Sequence, residues 1–203
     1  MIKITFLGTG TSQGIPVVGS DHPVSLSENS KDKRLRSSVL ISWDNFNLLI
    51  DCGPDFRQQM IRSNCSNLDS VLFTHEHADH TSGLDDIRPF SYRQGKIPIY
   101  LHKRVLNSLE TRFAYIFNEN QRYPGAPEFT VNLIDKENKF EVGGKVIIPI
   151  EVLHQKLPVL GFRIENFAYL THISHNMGFH DEVSKKLPEN VYLSYDGLEI
   201  KIS

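Results

Sequence analysis

The sequence predicts an α/β sandwich built as a single domain over residues 1–203. Strand patterns fill much of the first 75 residues, a long helix pattern follows, and strand patterns return after residue 139. A chain of 203 residues that is 39% hydrophobic and 23% charged can bury one substantial core. Neither an internal repeat nor a low-complexity tract interrupts this organisation.

Four segments of the first half have the β-branched and aromatic composition of strands, with Gly, Asn or Asp at their ends. They cover residues 2–8, 38–43, 46–53 and 70–75. Asp44 and Asn45 between the second and third segments predict a tight hairpin. The polar, glycine-free segment 55–64 predicts a short helix.

In the second half, residues 103–117 repeat apolar residues at spacings of three and four, which predicts an amphipathic helix. Strand patterns then cover residues 139–154, 160–172 and 191–202. The first of these contains a Gly-Gly turn and the last an Asp-Gly turn.

Charge and cysteine content narrow the functional classes. The net charge of −2 gives no overall basic field, so a nucleic-acid partner is not expected. The N-terminus lacks the apolar segment of a signal peptide, and no apolar run approaches about 18 residues, so we expect a cytoplasmic protein with no membrane partner. Two cysteines, Cys52 and Cys65, are too few for a disulfide framework and are expected to be buried free thiols.

The stretch FTHEHADHTSGLDD, residues 73–86, follows an apolar run directly. On an extended strand end, His75 and His77 leave the same face and can converge on one ion. Asp79 and His80 follow as the chain turns, and they are better placed for a neighbouring ion. A single histidine is more often a loop or core residue, but four such residues within six positions favour a two-metal site. Imidazole and carboxylate ligands without thiolate suit zinc, manganese or iron.

The HxHxDH spacing of residues 75–80 resembles the signature of the metallo-β-lactamase-fold metallohydrolases. Other stretches resemble the branch of this family that contains phosphoribosyl cyclic phosphate phosphodiesterase. They are FLGTGTSQGIPVVG, DKRLRSSVLI, LLIDCGPDFRQQM, GLDDIRPF, LGFRI, LTHISH and YDGLEI. The resemblance covers nearly the whole chain and implies a metallo-β-lactamase-like αββα sandwich.

The resemblance also implies two sets of metal ligands, three for each ion. The first set is His75, His77 and His154, and the second is Asp79, His80 and His172. Asp51 would brace the metal loop by hydrogen bonds. Taken singly, His154 and His172 are as compatible with a role as ordinary strand-end histidines as with a role as metal ligands. The implied mechanism is hydrolysis by a hydroxide held between two divalent ions, which neutralise charge on the phosphoryl oxygens.

The sequence departs from the family pattern after Thr171. Family members carry an aspartate that bridges the metals after a strand like FAYLT, and dozens of residues then precede a second strand that leads into THISH. Here FAYLT runs directly into HISH, so His172 stands where the bridging aspartate would be. This predicts an internal deletion that shortens the second half of the sandwich and exposes apolar sheet surface. A homodimer or a domain swap could cover the gap.

A second departure lies at residues 17–27, where relatives carry a cysteine knuckle that binds a structural zinc. This chain has Ser20, His22 and Ser25 in that region. Because serine does not replace thiolate as a zinc ligand, we predict no structural metal there and a solvent-exposed His22.

Other residues are candidates for catalysis and phosphate binding. Asp79 is expected to act in catalysis, and His175 could donate a proton to the leaving alcohol or have a structural role. Guanidinium groups bind phosphate in bidentate fashion, although a solvated charged loop is the alternative for each. The four candidates are Arg34, Arg36, Arg88 and Arg93. The glycine-rich segment 8–14 lacks the Lys-Ser/Thr ending of a P-loop and is interpreted as a turn lining the site.

The predicted function is therefore a metal-dependent hydrolase, in particular a phosphodiesterase for a small phosphodiester or cyclic phosphate. One alternative is an RNA-processing nuclease of the same fold, although the chain lacks an extended basic arm for tRNA. A second is a catalytically impaired metal-binding remnant, because the bridging aspartate is missing. A thiolester hydrolase of the same fold is a weaker variant.

Overall fold

Two β-sheets form the centre of the computed structural model, which describes residues 1–169, 173 and 175–202. The larger sheet contains β1 (Ile2–Gly8), β2 (Ser38–Trp43), β3 (Phe46–Ile50), β4 (Ser70–Leu72), β5 (Ile97–Leu101), β6 (Phe129–Leu133) and β11 (Glu199–Ile202). The smaller sheet contains β7 (Phe140–Val142), β8 (Lys145–His154), β9 (Leu157–Ile164) and β10 (Phe167–Tyr169).

The two sheets differ in strand direction. The larger sheet has the order β11-β1-β2-β3-β4-β5-β6, and β3 to β6 run parallel while the other pairs are antiparallel. The smaller sheet has the order β10-β9-β8-β7 and is antiparallel throughout. Parallel strands need crossover connections, which the helices between β3 and β6 supply.

The helices are α1 (Pro23–Leu26), α2 (Phe56–Arg62), α3 (Ala78–Thr81), α4 (Arg88–Gln94), α5 (Lys103–Arg112), α6 (Ala114–Phe117) and α7 (His180–Ser184). Short 3₁₀ turns cover Ser30–Asp32, Leu84–Ile87 and His175–Met177. Within the residues described, no helix is long and apolar enough to cross a bilayer.

The two faces of the larger sheet bury different cores, because successive side chains of a strand point to opposite faces. In β3, Leu49 belongs to a core shared with helices α2, α4 and α5, whereas Leu48 and Ile50 belong to a core shared with the smaller sheet. From the smaller sheet, Ile147 and Phe162 enter that second core fully buried. The predicted α/β sandwich is therefore confirmed.

Several predicted elements appear with the expected bounds. Segments 2–8 and 38–43 are β1 and β2, and segment 55–64 contains α2. The hairpin at Asp44 and Asn45 is confirmed, and both residues have the positive φ that a tight hairpin turn of this kind requires, 46° and 65°. Cys52 is a buried free thiol, whereas Cys65 is also free but only half-buried.

Other predicted bounds are wrong. Strand 46–53 ends at Ile50 and strand 70–75 ends at Leu72, because the backbone N–H groups of Cys52 and Thr74 donate to His80 O and to the Asp51 side chain rather than to a continuing ladder. Helix 103–117 breaks at Phe113, where ψ turns to 45°. Strand 160–172 begins earlier, at Leu157, and is divided into β9 and β10 by a turn at Glu165 with φ 50°.

The last predicted strand, 191–202, is a strand only over Glu199–Ile202. The preceding segment is irregular because Asp196 leaves it to accept hydrogen bonds from the backbone N–H groups of Thr9 and Leu35, at 2.8 and 2.7 Å. Strands β5 and β6, with helix α4, were not predicted. The junction proposed after Thr171 adjoins residues outside those described, so the deletion stays a prediction, as does the single domain over 1–203.

Candidate metal centre

Two loops meet at the carboxyl ends of β3 and β4, where ligand sites of parallel sheets commonly lie. Ile50 pairs with Leu72 in the parallel register, so the residues that follow the two strands emerge side by side. Asp51 follows β3. The loop from Thr74 to His80, here called the metal loop, follows β4. The backbone N–H of Asp51 donates to Leu72 O at 2.9 Å, which holds the two loops together.

Asp51 is fully buried and its carboxylate organises the second loop. Its Oδ1 accepts from the backbone N–H of Thr74 at 2.9 Å, and its Oδ2 accepts from the Thr74 hydroxyl at 2.8 Å. The same Oδ2 lies 2.6 Å from Nδ1 of His80. These contacts fix the start and the end of the loop that carries the predicted ligands.

Three imidazoles from the two sheets converge beside this loop. Ligand atoms of His75, His77 and His154 all lie within 4.8 Å of one another. His75 and His77 belong to the loop after β4, and His154 is the last residue of β8 in the smaller sheet. The first predicted ligand set is therefore brought together by the packing of one sheet on the other.

Hydrogen bonding determines which nitrogen of His75 faces the cluster. The Asp51 carboxylate only accepts, so the Thr74 hydroxyl donates to it and accepts in turn from Nδ1–H of His75, at 2.9 Å. Nε2 of His75 is then unprotonated and lies 3.1 Å from Nδ1 of His77. Two nitrogens bound to one zinc in tetrahedral geometry are separated by roughly 3.4 Å, so this spacing fits a shared ion.

Electrostatics favour the ligand form of His75. Burial, with the charge of His80 as a further contribution, lowers the pKa of His75 to about 4. At neutral pH the imidazole is therefore uncharged and its lone pair is available to a metal ion.

Asp79 and His80 form an adjoining pair. Nε2 of His80 lies 3.2 Å from Oδ2 of Asp79, and the rings of His75 and His80 are 4.1 Å apart. Burial alone would lower the pKa of His80, but the carboxylates of Asp51 and Asp79 outweigh this effect and raise it to about 10. Burial likewise works against the Asp79 carboxylate, yet the hydrogen bond and charge of His80 lower its pKa to about 2. Nε2–H of the protonated His80 therefore donates to Asp79, and an ion bound by both side chains would take the place of that proton.

A cavity of about 150 Å³ opens beside these groups. One side is polar and includes Asp51, Thr74, His75, His80 and His154, together with the hydroxyls of Ser37 and Tyr169, which lie 2.5 Å apart. The apolar part of its lining consists of Val152, Leu153, Val159 and Leu160. The cavity has room for a group the size of a phosphate.

The donor set fits divalent metal. Five residues of the described chain supply imidazole and carboxylate ligands in two adjoining groups, which suits zinc, manganese or iron. They are His75, His77, His154, Asp79 and His80. His172, the sixth predicted ligand, lies outside the described residues. The assignment of these residues as ligands stays a prediction that the geometry supports.

Two of the predicted phosphate-binding arginines serve the N-terminal loops instead. Arg34 is only 4% exposed and donates from Nη1 to Thr9 Oγ1 and to Ser194 O, both at 2.7 Å. Arg36 pairs with Asp55 at 3.1 Å. Neither is among the described residues that line the cavity.

The other two arginines are also engaged away from it. Arg88 pairs with Asp85 and donates to the hydroxyl of Tyr123 at 2.7 Å. Arg93 donates to Ser66 O at 3.2 Å. Neither appears among the described cavity residues, and phosphate binding by any of the four arginines stays a prediction.

His175 and His22 contact each other. Their rings lie 5.1 Å apart, edge to face, and Nδ1 of His22 accepts from the backbone N–H of Val24 at 3.3 Å to cap α1. His22 is half-buried, which corrects the expectation of an exposed loop residue. His175 does not line the cavity in the described part of the chain, so its predicted catalytic role has no geometric support here.

Some residues of the site were not predicted. Thr74 fixes the tautomer of His75, and Glu76 pairs with Arg104 at 2.9 Å. Gly53 lies so close to the metal loop that a Cβ there would be 2.1 Å from Asp79 O. The sequence holds a signal for Gly53, because a glycine shortly after a buried strand permits a close approach of backbones.

Comparisons with known proteins identify the class. A family model described as Beta-lactamase superfamily domain matches residues 46–195, and the chain belongs to this family. The crystal structure of a new diphosphatase from the PhnP family is 28% identical, with a TM-score of 0.91, over 100% of this chain and 98% of that one. Human tRNase Z, short form, is 20% identical with a TM-score of 0.54 over 82% of this chain and 66% of that one, a likeness of fold.

Two relatives are similar in sequence. The octanoyltransferase of Porphyromonas gingivalis is 40% identical over 171 residues, 84% of this chain and 34% of that protein. The ribonuclease Z of Bradyrhizobium diazoefficiens is 36% identical over 173 residues, 83% of this chain and 51% of that protein. The chain thus spans about a third to a half of the length of these relatives. Family and fold together place it in the β-lactamase superfamily, with the metallo-β-lactamase fold.

Proposed function

We propose that this chain is a metal-dependent phosphodiesterase that acts on a small phosphodiester or cyclic phosphate. The observation that carries the proposal is the pair of adjoining ligand groups, three converging imidazoles and Asp79 facing His80, of which His75, His80 and His154 line one small cavity. A similar structure described as a diphosphatase of the PhnP family and a relative described as ribonuclease Z both support phosphoester chemistry.

The protein would hold two ions, in two groups of ligands. His75, His77 and His154 would hold one, and Asp79 and His80 would hold the other together with His172, whose part rests on the sequence resemblance. Zinc, manganese or iron bound there would supply a water of lowered pKa and would neutralise charge on the phosphoryl group.

The chain's own residues prepare this site. Asp51 holds His80 at 2.6 Å and fixes its ring orientation, while Thr74 keeps the proton of His75 on Nδ1. The buried apolar residues of the lining, Val159 and Leu160, would exclude water and contact the part of the substrate beyond the phosphate. The limited volume favours a small substrate over a folded RNA.

The test is hydrolysis of bis(4-nitrophenyl) phosphate with added manganese or zinc, alongside metal content measured by elemental analysis. We expect metal-dependent turnover, and we expect His77→Ala to lower both bound metal and kcat/KM by at least about 100-fold, because the ion loses a ligand. Arg57→Ala, on the exposed face of α2, is the control and should match the wild type.

Undiminished turnover in His77→Ala would contradict the metal mechanism. Bound metal without turnover on any phosphodiester would indicate a metal-binding remnant. Cleavage of a tRNA precursor with no turnover of small diesters would favour the nuclease, and hydrolysis of a thiolester alone would favour the thiolester hydrolase. Each of these outcomes would overturn the proposed substrate class.

A further inference from the structure

Helix α5 faces the metal loop with two arginines. Nη2 of Arg112 donates to Glu76 O at 2.8 Å and to the Thr81 hydroxyl at 3.0 Å. Thr81 in turn donates to His77 O at 2.8 Å. The backbone between the ligands His75 and His77 is therefore attached to a helix that supplies no ligand itself.

Arg104, at the other end of α5, makes a different kind of contact. Its Nε lies 2.9 and 3.1 Å from the two carboxylate oxygens of Glu76, the residue between His75 and His77. Its Nη2 donates to Pro158 O in β9 at 2.6 Å. One guanidinium thus bonds to the metal loop of the larger sheet and to a strand of the smaller sheet.

The strand contact lies next to the third imidazole. In the antiparallel pairing of β8 with β9, Leu153 is opposite Pro158 and His154 is opposite Leu157. Pro158 is therefore one register position from His154. A displacement of this hairpin relative to the metal loop would move His154 away from His75 and His77.

We propose that Arg104 is a positioning residue that fixes the distance between the two parts of the histidine cluster. The inference rests on the proposed metal centre, but it concerns how tightly that centre binds metal rather than which substrate it hydrolyses. The planar guanidinium presents several donors in fixed directions, so it can bond to Glu76 and Pro158 together.

Partial burial makes this pair more effective than an ordinary surface ion pair. The Arg104 and Glu76 side chains are 34% and 19% exposed, so solvent screens them less than a fully exposed pair. The histidine cluster depends on this ion pair for its geometry, because His77 and His154 are both exposed and few neighbours limit their movement.

The test measures zinc affinity by competition with a fluorescent chelator, and the melting temperature of the metal-free protein. Arg104→Met removes both contacts, and we expect it to weaken zinc binding about 10- to 100-fold, the usual loss when a residue that orients metal ligands is removed. Arg104→Lys has one donor group in place of the planar fork. Its zinc affinity should therefore lie between those of the wild type and Arg104→Met. Glu76→Gln should weaken binding less than Arg104→Met, because the contact with Pro158 remains.

Lys145→Met is the matched control, because it breaks an ion pair of 3.0 Å with Glu165 at the other end of β8. It should bind zinc like the wild type. Wild-type affinity in Arg104→Met, or an equal loss in Lys145→Met, would overturn the proposal. Because no substrate enters the measurement, a failure here is distinguishable from a failure of the phosphodiesterase proposal, in which zinc would bind normally without turnover.

Discussion

Asp51 occupies a left-handed backbone conformation, with φ of 62°, at the point where β3 ends. Such a conformation is costly for a residue other than glycine, although aspartate tolerates it better than most, and it persists where the surroundings determine it. Here Thr74 and His80 bond to its carboxylate and hold it in place. One buried side chain therefore couples the fold of the loop to the orientation of a predicted metal ligand.

Asp51→Ala should lower the free energy of unfolding of the metal-free protein by about 3 kcal/mol, because it leaves the buried N–H of Thr74 without its acceptor and His80 without its carboxylate. Asp51→Asn keeps one acceptor oxygen and should cost less. Urea denaturation in the presence of a chelator measures both, with Asp21→Asn on an exposed loop as the control. Equal stability of Asp51→Ala and the wild type would refute the bracing role.

At the scale of single residues, those that form a motif in the sequence could be predicted, and those that meet only in the folded chain could not. His75, His77, Asp79 and His80 are recognisable because their spacing is itself the signal. His154 needed a family resemblance, since nothing near it in the chain marks it as a ligand. The contact of Arg104 with Glu76 spans 28 positions and depends on where α5 packs, which no local pattern encodes.

Among the elements, α7 and the irregular segment after it are held by a buried contact. Nδ1 of His180 lies 3.1 Å from Nη2 of Arg34, and both side chains are about 5% exposed or less. A guanidinium only donates, so Nδ1 must be unprotonated. The backbone N–H of His180 donates to Asp32 at 2.7 Å, which ties α7 to the N-terminal loop.

Stability should therefore depend on pH through His180. Burial, then the charges of Arg34 and Lys31, lowers the pKa of His180 in the folded protein, whereas the unfolded value is about 6.5. The unfolded chain then binds the proton more strongly, so stability is lost as pH falls from about 6.5 toward the folded pKa. The loss has a limiting slope of about 1.4 kcal/mol per pH unit.

Urea titrations of the metal-free protein at several values between pH 8 and pH 5 measure this effect, and His180→Asn provides the comparison. The asparagine oxygen can accept from Arg34 but does not titrate. We expect the wild type to lose stability relative to His180→Asn as the pH falls. Parallel curves for the two proteins would rule out the contribution of His180.

Sequence patterns predicted elements where local chemistry decides them. The turn at Asp44 and Asn45 requires positive φ at both residues, and these residue types favour it. By contrast, the helix pattern over 103–117 continues through Phe113, where the break at the end of α5 depends on tertiary packing. The strand pattern over 191–198 fails for a similar reason, because Asp196 bonds to Thr9 and Leu35 in distant loops.

At the scale of the whole molecule, the candidate metal centre lies where the two sheets meet. The fold class was predictable because the apolar residues of each strand indicate which of its faces are buried. The family was predictable from the motif that follows β4. The deletion expected after Thr171 directly precedes His172, which the family resemblance assigns to the second ligand group. The first ligand group is complete among the described residues and spans both sheets.

An ion shared by His75, His77 and His154 would therefore cross-link the two sheets. Because the unfolded chain does not hold these side chains together, zinc at about 100 times its dissociation constant should stabilise the fold by about 2.7 kcal/mol. For a chain of this size that raises the melting temperature by about 5–10 °C. Differential scanning calorimetry with and without zinc measures the shift, and His154→Ala should lose most of it while Lys145→Met retains it. An equal shift in His154→Ala would mean that the stabilising ion binds within one sheet, and the cross-link between sheets would have to be abandoned.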